Sequence, residues 1–129
     1  GWFRRELSDV ESLHIYFKKL YVEKSDKPVI LTEFGGYSLK IADHSYNCCQ
    51  TYGYRIYTDR SGFVEGVRQT YLEEIIPLIS QGLCGAIYTQ VSDVEDEVNG
   101  LMTYDRQVAK ILPEEMTGIA KLLQEEIEK

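Results

Sequence analysis

A short apolar run that ends in a carboxylate, residues 29–36, constrains the fold more than any other part of this sequence. A strand buried on both faces reads as a nearly continuous run of Val, Ile and Leu, and α/β enzymes place their chemistry at the carboxyl ends of such strands. Gly35 and Gly36 follow and allow the backbone to turn sharply. Glu33 is therefore either a catalytic carboxylate or a structural one paired with a basic side chain, and the spacing alone leaves both interpretations open.

The composition is typical of one soluble globular domain, because 43% of the 129 residues are hydrophobic and 27% are charged. No apolar run approaches the ~20 residues of a transmembrane helix, and the first residues lack the layout of a signal peptide. The chain begins with glycine rather than methionine, which suggests a piece of a longer protein. A net charge of −7 argues against nucleic-acid and anionic-membrane partners, since both require a basic face.

The three cysteines predict free thiols rather than a disulfide framework. Cys48 and Cys49 are adjacent, and Cys84 lies far away inside an apolar segment. Reduced thiols fit a reducing compartment such as the cytoplasm, although they are also compatible with export of the parent protein. A metal site formed by His44 with the cysteine pair is conceivable, but the spacing matches no zinc pattern. We therefore predict no metal and no cofactor.

Apolar periodicity predicts three helices. The first runs from Ser8 to about residue 23, with Glu11 completing a capping box and apolar side chains at positions 10, 13, 17, 20 and 21. His14 lies beside that stripe and is expected to be a boundary side chain without chemistry. The second helix runs from about residue 62 to residue 80 and should bend or end early at Pro77, and the third begins at Pro113.

The order of the elements predicts an α/β fold with a parallel sheet. A turn before Pro28 leads into the strand that ends at Glu33, and a second apolar run covers residues 83–89. Two strands do not close such a sheet, so we expect part of a TIM (β/α)₈ barrel, about its last two β/α units plus a preceding helix. A doubly wound domain of flavodoxin type is the structural alternative, but it would need roughly three further strands.

The segment from residue 36 to residue 60 shows no clear period and carries five tyrosines. A stretch of this length without regular pattern inside a compact domain is usually either functional or wrongly assigned, and we interpret it as functional. Tyrosine offers a flat apolar face with a hydroxyl at its edge, which suits stacking against a sugar ring. We expect most of these rings to pack the loop against its own scaffold and one or two to reach a ligand. The five are Tyr37, Tyr46, Tyr52, Tyr54 and Tyr57.

Two motifs together resemble glycoside hydrolase family 2, which includes β-galactosidases, β-glucuronidases and β-mannosidases. The motifs are Thr-Glu-Phe-Gly-Gly at 32–36 and Gly-Ala-Ile-Tyr-Thr-Gln-Val-Ser-Asp-Val-Glu-Asp-Glu-Val-Asn-Gly at 85–100, continued by Leu-Met-Thr-Tyr-Asp-Arg at 101–106. The resemblance spans roughly residues 27–112. It implies that the chain is the C-terminal part of the catalytic barrel and carries its strands seven and eight.

The resemblance also implies that Glu33 is the nucleophile of a retaining β-glycosidase. Retaining hydrolysis needs a second carboxyl group ~5 Å away, which acts as acid and base. In the family that Glu follows an Asn on strand four, whereas Asn47 and Asn99 here precede Cys48 and Gly100. We therefore expect the chain alone to be inactive as a glycosidase and its parent to hydrolyse O-glycosidic bonds.

Candidate substrate contacts are drawn from the ends of the two strands. Thr89 stands where the family often has a sugar-stacking Trp, and Tyr88 is next to it. Adjacent residues of a strand face opposite sides, so Tyr88 does not simply replace the platform if Thr89 points into the barrel. A tyrosine from the 37–57 segment is the suggested substitute. The candidate substrate-binding residues are Tyr37, Tyr88, Thr89, Gln90 and Asp93.

The acidic residues at 93–97 suggest calcium at first sight, since hard cations favour several carboxylates in one loop. The EF-hand pattern requires glycine at the sixth loop position, whereas Gly100 is the eighth residue counted from Asp93. A solvated acidic loop that pairs with Arg106 is the preferred interpretation. Asp93 is kept as a site residue because it lies closest to the predicted barrel rim.

Two other function classes compete with the enzyme fragment. The first is a non-catalytic carbohydrate-binding or interaction module, which would be favoured if the parent lacks an upstream Asn-Glu strand. The second is a signalling α/β domain, which requires an acidic pocket near a Lys at a strand end, and no predicted strand ends in this way.

Isolated β/α units should expose strand edges and apolar helix faces, and such surfaces invite pairing with another copy of the chain. We therefore predict self-association that increases with concentration in the micromolar range. Multi-angle light scattering measures it directly, and a monodisperse monomer at all concentrations would contradict this expectation.

Overall fold

A parallel three-stranded sheet with helices on one face forms the centre of the protein. The computed structural model describes residues 7–129. The sheet has the order β1, β2, β5, with β1 at Glu11–Ile15, β2 at Val29–Gly35 and β5 at Leu83–Thr89. All helices in the described part of the chain are too short or too polar to cross a bilayer.

The strands are paired so that their carboxyl ends meet at one edge of the sheet. His14 of β1 lies opposite Glu33 of β2, and Gly35 lies opposite Thr89 of β5. A register irregularity falls between Leu13 and His14 in β1, and another falls between residues 31 and 34 in β2. The side chains of residues 14, 33 and 89 therefore share one end of the sheet.

One nearly continuous helix lies in the second half of the segment between β2 and β5. It comprises α1 at Arg60–Gln69, a π-helical stretch at Thr70–Ile75 and α2 at Ile76–Ile79. The Asp59 side chain caps its start by accepting the Gly62 N–H at 2.8 Å. The helix does not stop at Pro77, because Pro77 lies in the first turn of α2, where a missing N–H is tolerated.

The helix α3 at Pro113–Ile127 is the last element of the chain. Glu115 in its first turn accepts the backbone N–H of Leu112 at 2.7 Å, which satisfies one donor at the start of the helix. Ile119 is 3% exposed in the core, whereas Ile127 near the end of the same helix is 65% exposed. The core between sheet and helices also includes Leu31, Phe34, Phe63, Val67 and Ile75.

The sheet has one covered face and one open face. Leu13 and Ile15 of β1 turn toward the helices and join the core. Ser12 and Thr32 lie on the other face and are hydrogen-bonded through their hydroxyls at 2.8 Å. Ile87 on β5 is mostly exposed. No helix of the described chain covers this second face.

Residues 36–60 are more regular than the sequence indicated. Two short parallel strands, β3 at Tyr37–Leu39 and β4 at Arg55–Tyr57, pair with each other, and a 3₁₀ turn covers Ala42–His44. The N–H of Leu39 donates to the Val98 carbonyl at 3.0 Å and ties β3 to the loop after β5. The prediction of an irregular segment is therefore wrong for these short elements.

The predicted helix at 8–23 is also wrong, since residues 11–15 form β1 instead. Its apolar positions fit a helix, but Leu13 and Ile15 also fit the two-residue period of a strand. The segment forms a strand because it pairs with β2. The first hydrogen bond of this pairing runs from the Glu11 N–H to the Pro28 carbonyl and measures 2.9 Å. Phe17, two residues after the end of β1, has a left-handed conformation with φ of 61°.

The remaining predicted elements are confirmed: the strands at β2 and β5, the helix between them and the helix that begins at Pro113. The fold class is mixed α/β with parallel strands. The described residues form an open sheet of three strands and not a closed barrel.

The two isoleucines of α3 test how this helix is held. Ile119→Ala should lower the free energy of unfolding by ~2–5 kcal/mol, because it leaves a cavity in the core. Ile127→Ala makes the same change at an exposed site and should stay within ~0.5 kcal/mol of the unmodified chain. Urea unfolding followed by circular dichroism measures both values, and equal small losses would show that α3 does not pack through Ile119.

Candidate functional site

The Glu33 carboxylate is held by a hydroxyl from the neighbouring strand. Tyr16, the residue after β1, donates its hydroxyl hydrogen to Glu33 Oε2 at 2.9 Å. The same hydroxyl oxygen lies 2.7 Å from Thr89 Oγ1 at the end of β5. Because the single hydrogen of Tyr16 goes to the carboxylate, Thr89 is the donor in the second hydrogen bond. One hydroxyl thus connects the carboxyl ends of all three strands.

A histidine completes the immediate surroundings of Glu33. His14 Nδ1 lies 3.4 Å from Glu33 Oε2, and the Glu33 side chain is 45% exposed on the open face of the sheet. Within residues 7–129, no lysine or arginine forms an ion pair with Glu33. Among the described residues, Glu33 is therefore not a structural carboxylate neutralised by a lysine or an arginine.

The Tyr16 hydroxyl keeps its proton at neutral pH. Burial raises the pKa of Tyr16 well above its ordinary value, and the nearby Glu33 carboxylate raises it further, while the Thr89 hydrogen bond opposes the shift. A protonated phenol donates a hydrogen bond to the carboxylate, and hydrogen bonds to charged acceptors are stronger than those between neutral groups. Tyr16 therefore holds Oε2, and both contacts found for the Glu33 carboxylate among residues 7–129 are to this oxygen.

Two glycines after Glu33 make room for aromatic rings. Gly35 has φ of +89° and Gly36 has φ of +67°, which side-chain-bearing residues rarely adopt. A Cβ on Gly35 would collide with the Tyr88 ring, and a Cβ on Gly36 would collide with the Tyr54 ring. The Gly36 N–H donates to the Thr89 carbonyl at 2.9 Å, so the turn also joins β2 to β5.

Tyr54 supports the tyrosine that holds Glu33. Its ring stacks on the ring of Tyr16, with centroids 4.2 Å apart and planes inclined by 14°. Burial raises the pKa of Tyr54, and the hydroxyl of Tyr52 and the carboxylates of Glu97 and Glu33 raise it further. Tyr54 thus belongs to the surroundings of Glu33, and the expectation that one or two tyrosines of this segment reach a ligand stays a prediction.

The structure separates Thr89 from Tyr88, as the alternation of a strand requires. Thr89 lies on the same face of the sheet as Glu33, where its hydroxyl is hydrogen-bonded to Tyr16. Tyr88 lies on the covered face and packs against the core. The Tyr88 ring packs edge-on against Phe34 and Tyr37, with centroid distances of 5.5 and 6.2 Å. Its contacts are those of a core residue, so the prediction that Tyr88 binds substrate finds no geometric support.

Tyr37 and Gln90 are both engaged within the protein. The Tyr37 hydroxyl lies 2.6 Å from Thr70 Oγ1, on the helical side of the sheet. The Gln90 amide donates to Asn99 Oδ1 at 2.6 Å and to Glu97 Oε2 at 3.1 Å, which links the two ends of the loop after β5. Gln90 therefore shapes the loop beside Thr89, and the Tyr37 ring contributes packing.

Asp93 is a buried structural residue rather than a group at the rim. Its Oδ1 lies 2.6 Å from Lys110 Nζ and accepts the Gly100 N–H at 2.8 Å. The Lys110 and Asp93 side chains are 0% and 1% exposed. Burial raises the pKa of Asp93 and lowers that of Lys110, while the pairing opposes both shifts. Its basic partner is Lys110, and its role as a substrate contact stays a prediction. The ion pairs found among residues 7–129 do not join the acidic loop to Arg106.

The other acidic and thiol groups do not converge on an ion. His44 Nδ1 pairs with Asp105 Oδ2 at 2.7 Å. This contact, together with hydrogen bonds from the Gln107 N–H and the Thr103 hydroxyl, lowers the pKa of Asp105 to about 2. Asn47 donates to Asp96 Oδ1 at 2.9 Å. Over the described range 7–129, no group of three His, Cys, Asp or Glu side chains is arranged to hold a metal.

Sequence reasoning missed three residues of this site: His14, Tyr16 and Tyr54. The helical period of their segment predicts a helix for the first two. The alternation of polar residues 12, 14 and 16 with Leu13 and Ile15 is the signal of a strand with one polar face. Tyr54 was among the candidate tyrosines, but nothing in the sequence distinguished it from the others.

No protein-family model matches this chain, and the search of curated proteins found no match either. The functional interpretation therefore depends on the geometry around Glu33 and on the sequence motifs.

The pair of Asp93 and Lys110 gives a direct test of the loop's anchor. Asp93→Asn should destabilise the chain by about 3–5 kcal/mol, because it leaves the Lys110 ammonium buried without its counter-charge. The double variant Asp93→Asn with Lys110→Met removes both charges and should recover much of the loss. Thermal and urea unfolding of the three variants measure this coupling, and additive losses in the double variant would contradict it.

Proposed function

We propose that this chain supplies the nucleophile half of a retaining β-glycosidase of glycoside hydrolase family 2. The observation that carries the proposal is the Glu33 carboxylate at the carboxyl ends of three parallel strands, half exposed, with Oε2 fixed by Tyr16. Active sites of (β/α)₈ enzymes are built at this end of the strands. The sequence motifs around residues 33 and 90 supply the family resemblance.

The sheet supports the proposal that the chain is part of a barrel. Its three strands are parallel and lie side by side in chain order. The connection from β2 to β5 is helical, whereas the connection from β1 to β2 contains no helix. In a (β/α)₈ barrel the helices surround the sheet and the other face lines the interior. If β2 and β5 are strands seven and eight, β1 takes the place of strand six, and Ser12, Thr32 and Glu33 face the barrel axis.

In the proposed reaction Glu33 Oε1 attacks the anomeric carbon of the sugar and forms a covalent glycosyl-enzyme. The Tyr16 hydrogen bond fixes the carboxylate plane, so that Oε1 is oriented before the substrate arrives. His14 contacts the same oxygen as Tyr16 and limits rotation of the carboxylate. The second carboxyl group, which protonates the leaving oxygen and then activates water, would come from an upstream strand of the parent protein.

A non-catalytic carbohydrate-binding module is the second candidate. It is favoured by the exposed aromatic rings of Phe17 and Tyr52. Both rings contact Tyr54, which stacks on the tyrosine that holds Glu33. The two candidates differ in one respect: only the enzyme needs Glu33 to react.

The proposal predicts how activity divides between the chain and its parent. The 129-residue chain alone should not turn over aryl β-glycosides, whereas a parent protein that includes an upstream Asn-Glu strand should do so with retention of anomeric configuration. In the parent, Glu33→Gln should lower kcat/KM by at least ~10³-fold, because the nucleophile is lost. Tyr16→Phe should lower it by ~10–100-fold, the value of a hydrogen bond to a charged group.

Tyr46→Phe is the matched control for Tyr16→Phe, because Tyr46 is an exposed tyrosine that packs on Tyr104 and not on the Glu33 site. Its kinetics should equal those of the unmodified parent. Unchanged turnover in Glu33→Gln would contradict the proposed role of Glu33, and turnover by the isolated chain that depends on Glu33 would contradict the need for a second half.

A further inference from the structure

Two neighbouring cysteines lie side by side on the surface of the segment between β3 and β4. Cys48 Sγ and Cys49 Sγ are 3.3 Å apart, and both residues are exposed free thiols. The third cysteine, Cys84, is also exposed, but its Sγ donates to the Gly82 carbonyl at 3.4 Å rather than to a thiol. The chain therefore has one pair of thiols in contact and one single thiol.

Side chains from outside the pair hold the turn that carries it. Asn47 Oδ1 accepts the N–H groups of Cys49 and Gln50 at 2.8 and 3.2 Å. Lys40 Nζ donates to the carbonyls of Cys48 and Gln50 at 3.0 and 2.7 Å. These contacts fix the backbone on both sides of the 48–49 peptide bond, and the two thiols are presented together to solvent.

The contact between the two thiols is suited to thiol–disulfide exchange. In this reaction a thiolate attacks a disulfide sulfur and forms a mixed disulfide. A second thiol within reach can then attack the mixed disulfide, whereas a single thiol has no partner for this step. Because the sulfurs of Cys48 and Cys49 are already 3.3 Å apart, the second step requires only a small movement of either side chain.

We propose that Cys48 and Cys49 form a reversible disulfide by exchange with a low-molecular-weight disulfide such as oxidised glutathione. One thiolate attacks a glutathione sulfur, breaks the glutathione S–S bond and releases one glutathione thiol. The neighbouring thiolate attacks the cysteine sulfur of the mixed disulfide and releases the second glutathione thiol. The pair loses two electrons, the glutathione disulfide gains them, and the two thiol protons pass to the released glutathione molecules. This modification site does not depend on the role of Glu33.

Strain makes the disulfide of this pair easy to reduce. The Cα atoms of adjacent residues are about 3.8 Å apart across a trans peptide bond. Disulfide-bonded residues usually have Cα atoms about 4.4–6.8 Å apart, and a disulfide outside this geometry is more readily reduced. The pair should therefore respond to the ratio of oxidised to reduced glutathione rather than form a permanent cross-link.

The turn that carries the pair also contacts the loop after β5. Asn47 Nδ2 donates to Asp96 Oδ1 at 2.9 Å, and the Tyr52 N–H donates to the Asp96 carbonyl at 2.7 Å. Asn47 is bonded at the same time to the Cys49 N–H, so closing the disulfide changes the backbone that positions Asn47. Oxidation of the pair should therefore change the surroundings of Asp96.

The test uses Cys84→Ser, in which the pair supplies the only thiols of the chain. Oxidised glutathione is added in excess, and intact mass spectrometry without reductant identifies the products. Cys84→Ser should lose two hydrogens and carry no glutathione, whereas the matched control, Cys84→Ser with Cys49→Ser, should gain one glutathione and keep it. Excess reduced glutathione should return Cys84→Ser to the dithiol. In ¹H–¹⁵N NMR spectra the amide signal of Asp96 should shift when the pair is oxidised.

A Cys84→Ser chain that keeps both thiols, or that retains glutathione as the control does, would overturn the proposal. A disulfide that persists in excess reduced glutathione would refute its reversibility. An Asp96 signal that is unchanged by oxidation would contradict the link to the loop after β5. Both substitutions are made at exposed positions, and matching amide signals outside residues 47–51 and 82–86 show that the variants are folded.

Discussion

The hydroxyl of Tyr16 is the interaction on which the site depends, because it joins the ends of three strands through one oxygen. Tyr16 follows β1, Glu33 lies on β2 and Thr89 ends β5, and the two hydrogen bonds measure 2.9 and 2.7 Å. Parallel pairing brings the three residues to one edge, but it does not orient a carboxylate. The phenol does so, and burial keeps its proton in place by raising its pKa. The stacking of Tyr54 on Tyr16 then extends this order into the loop between β3 and β4.

The surrounding loops are fixed by contacts that leave the open face of the sheet uncovered. The buried pair of Asp93 and Lys110, with the Gly100 N–H, closes the loop after β5, and the Leu39 N–H bonds this loop to β3. The glycines at 35 and 36 let two aromatic rings approach the backbone. These contacts support Glu33 from the helical side, while its carboxylate lies on the open face of the sheet.

The sequence predicts correctly those elements for which all local signals indicate the same secondary structure. It fails where pairing with another strand determines whether a segment becomes a helix or a strand. The apolar runs of β2 and β5 are short, continuous and bounded by turn residues, and both were predicted correctly. In β1, Leu13 and Ile15 fit a strand while positions 10, 13, 17 and 20 fit a helix, and only the partner strand resolves the conflict. The roles of His14 and Tyr16 were missed for that reason. Asp93 illustrates another limit, because its sequence neighbours do not reveal that Lys110, seventeen positions later, is folded against it.

We propose that Glu33 forms a covalent bond to a sugar at the end of the parallel sheet. The most direct test of this proposal is incubation of the parent protein with a 2-deoxy-2-fluoro glycosyl fluoride, followed by peptide mass spectrometry. We expect one fluoroglycosyl adduct per protein, located on Glu33 in the peptide that contains residues 29–36. Labelling of a different carboxylate in an inactivated parent, with Glu33 unmodified, would contradict it.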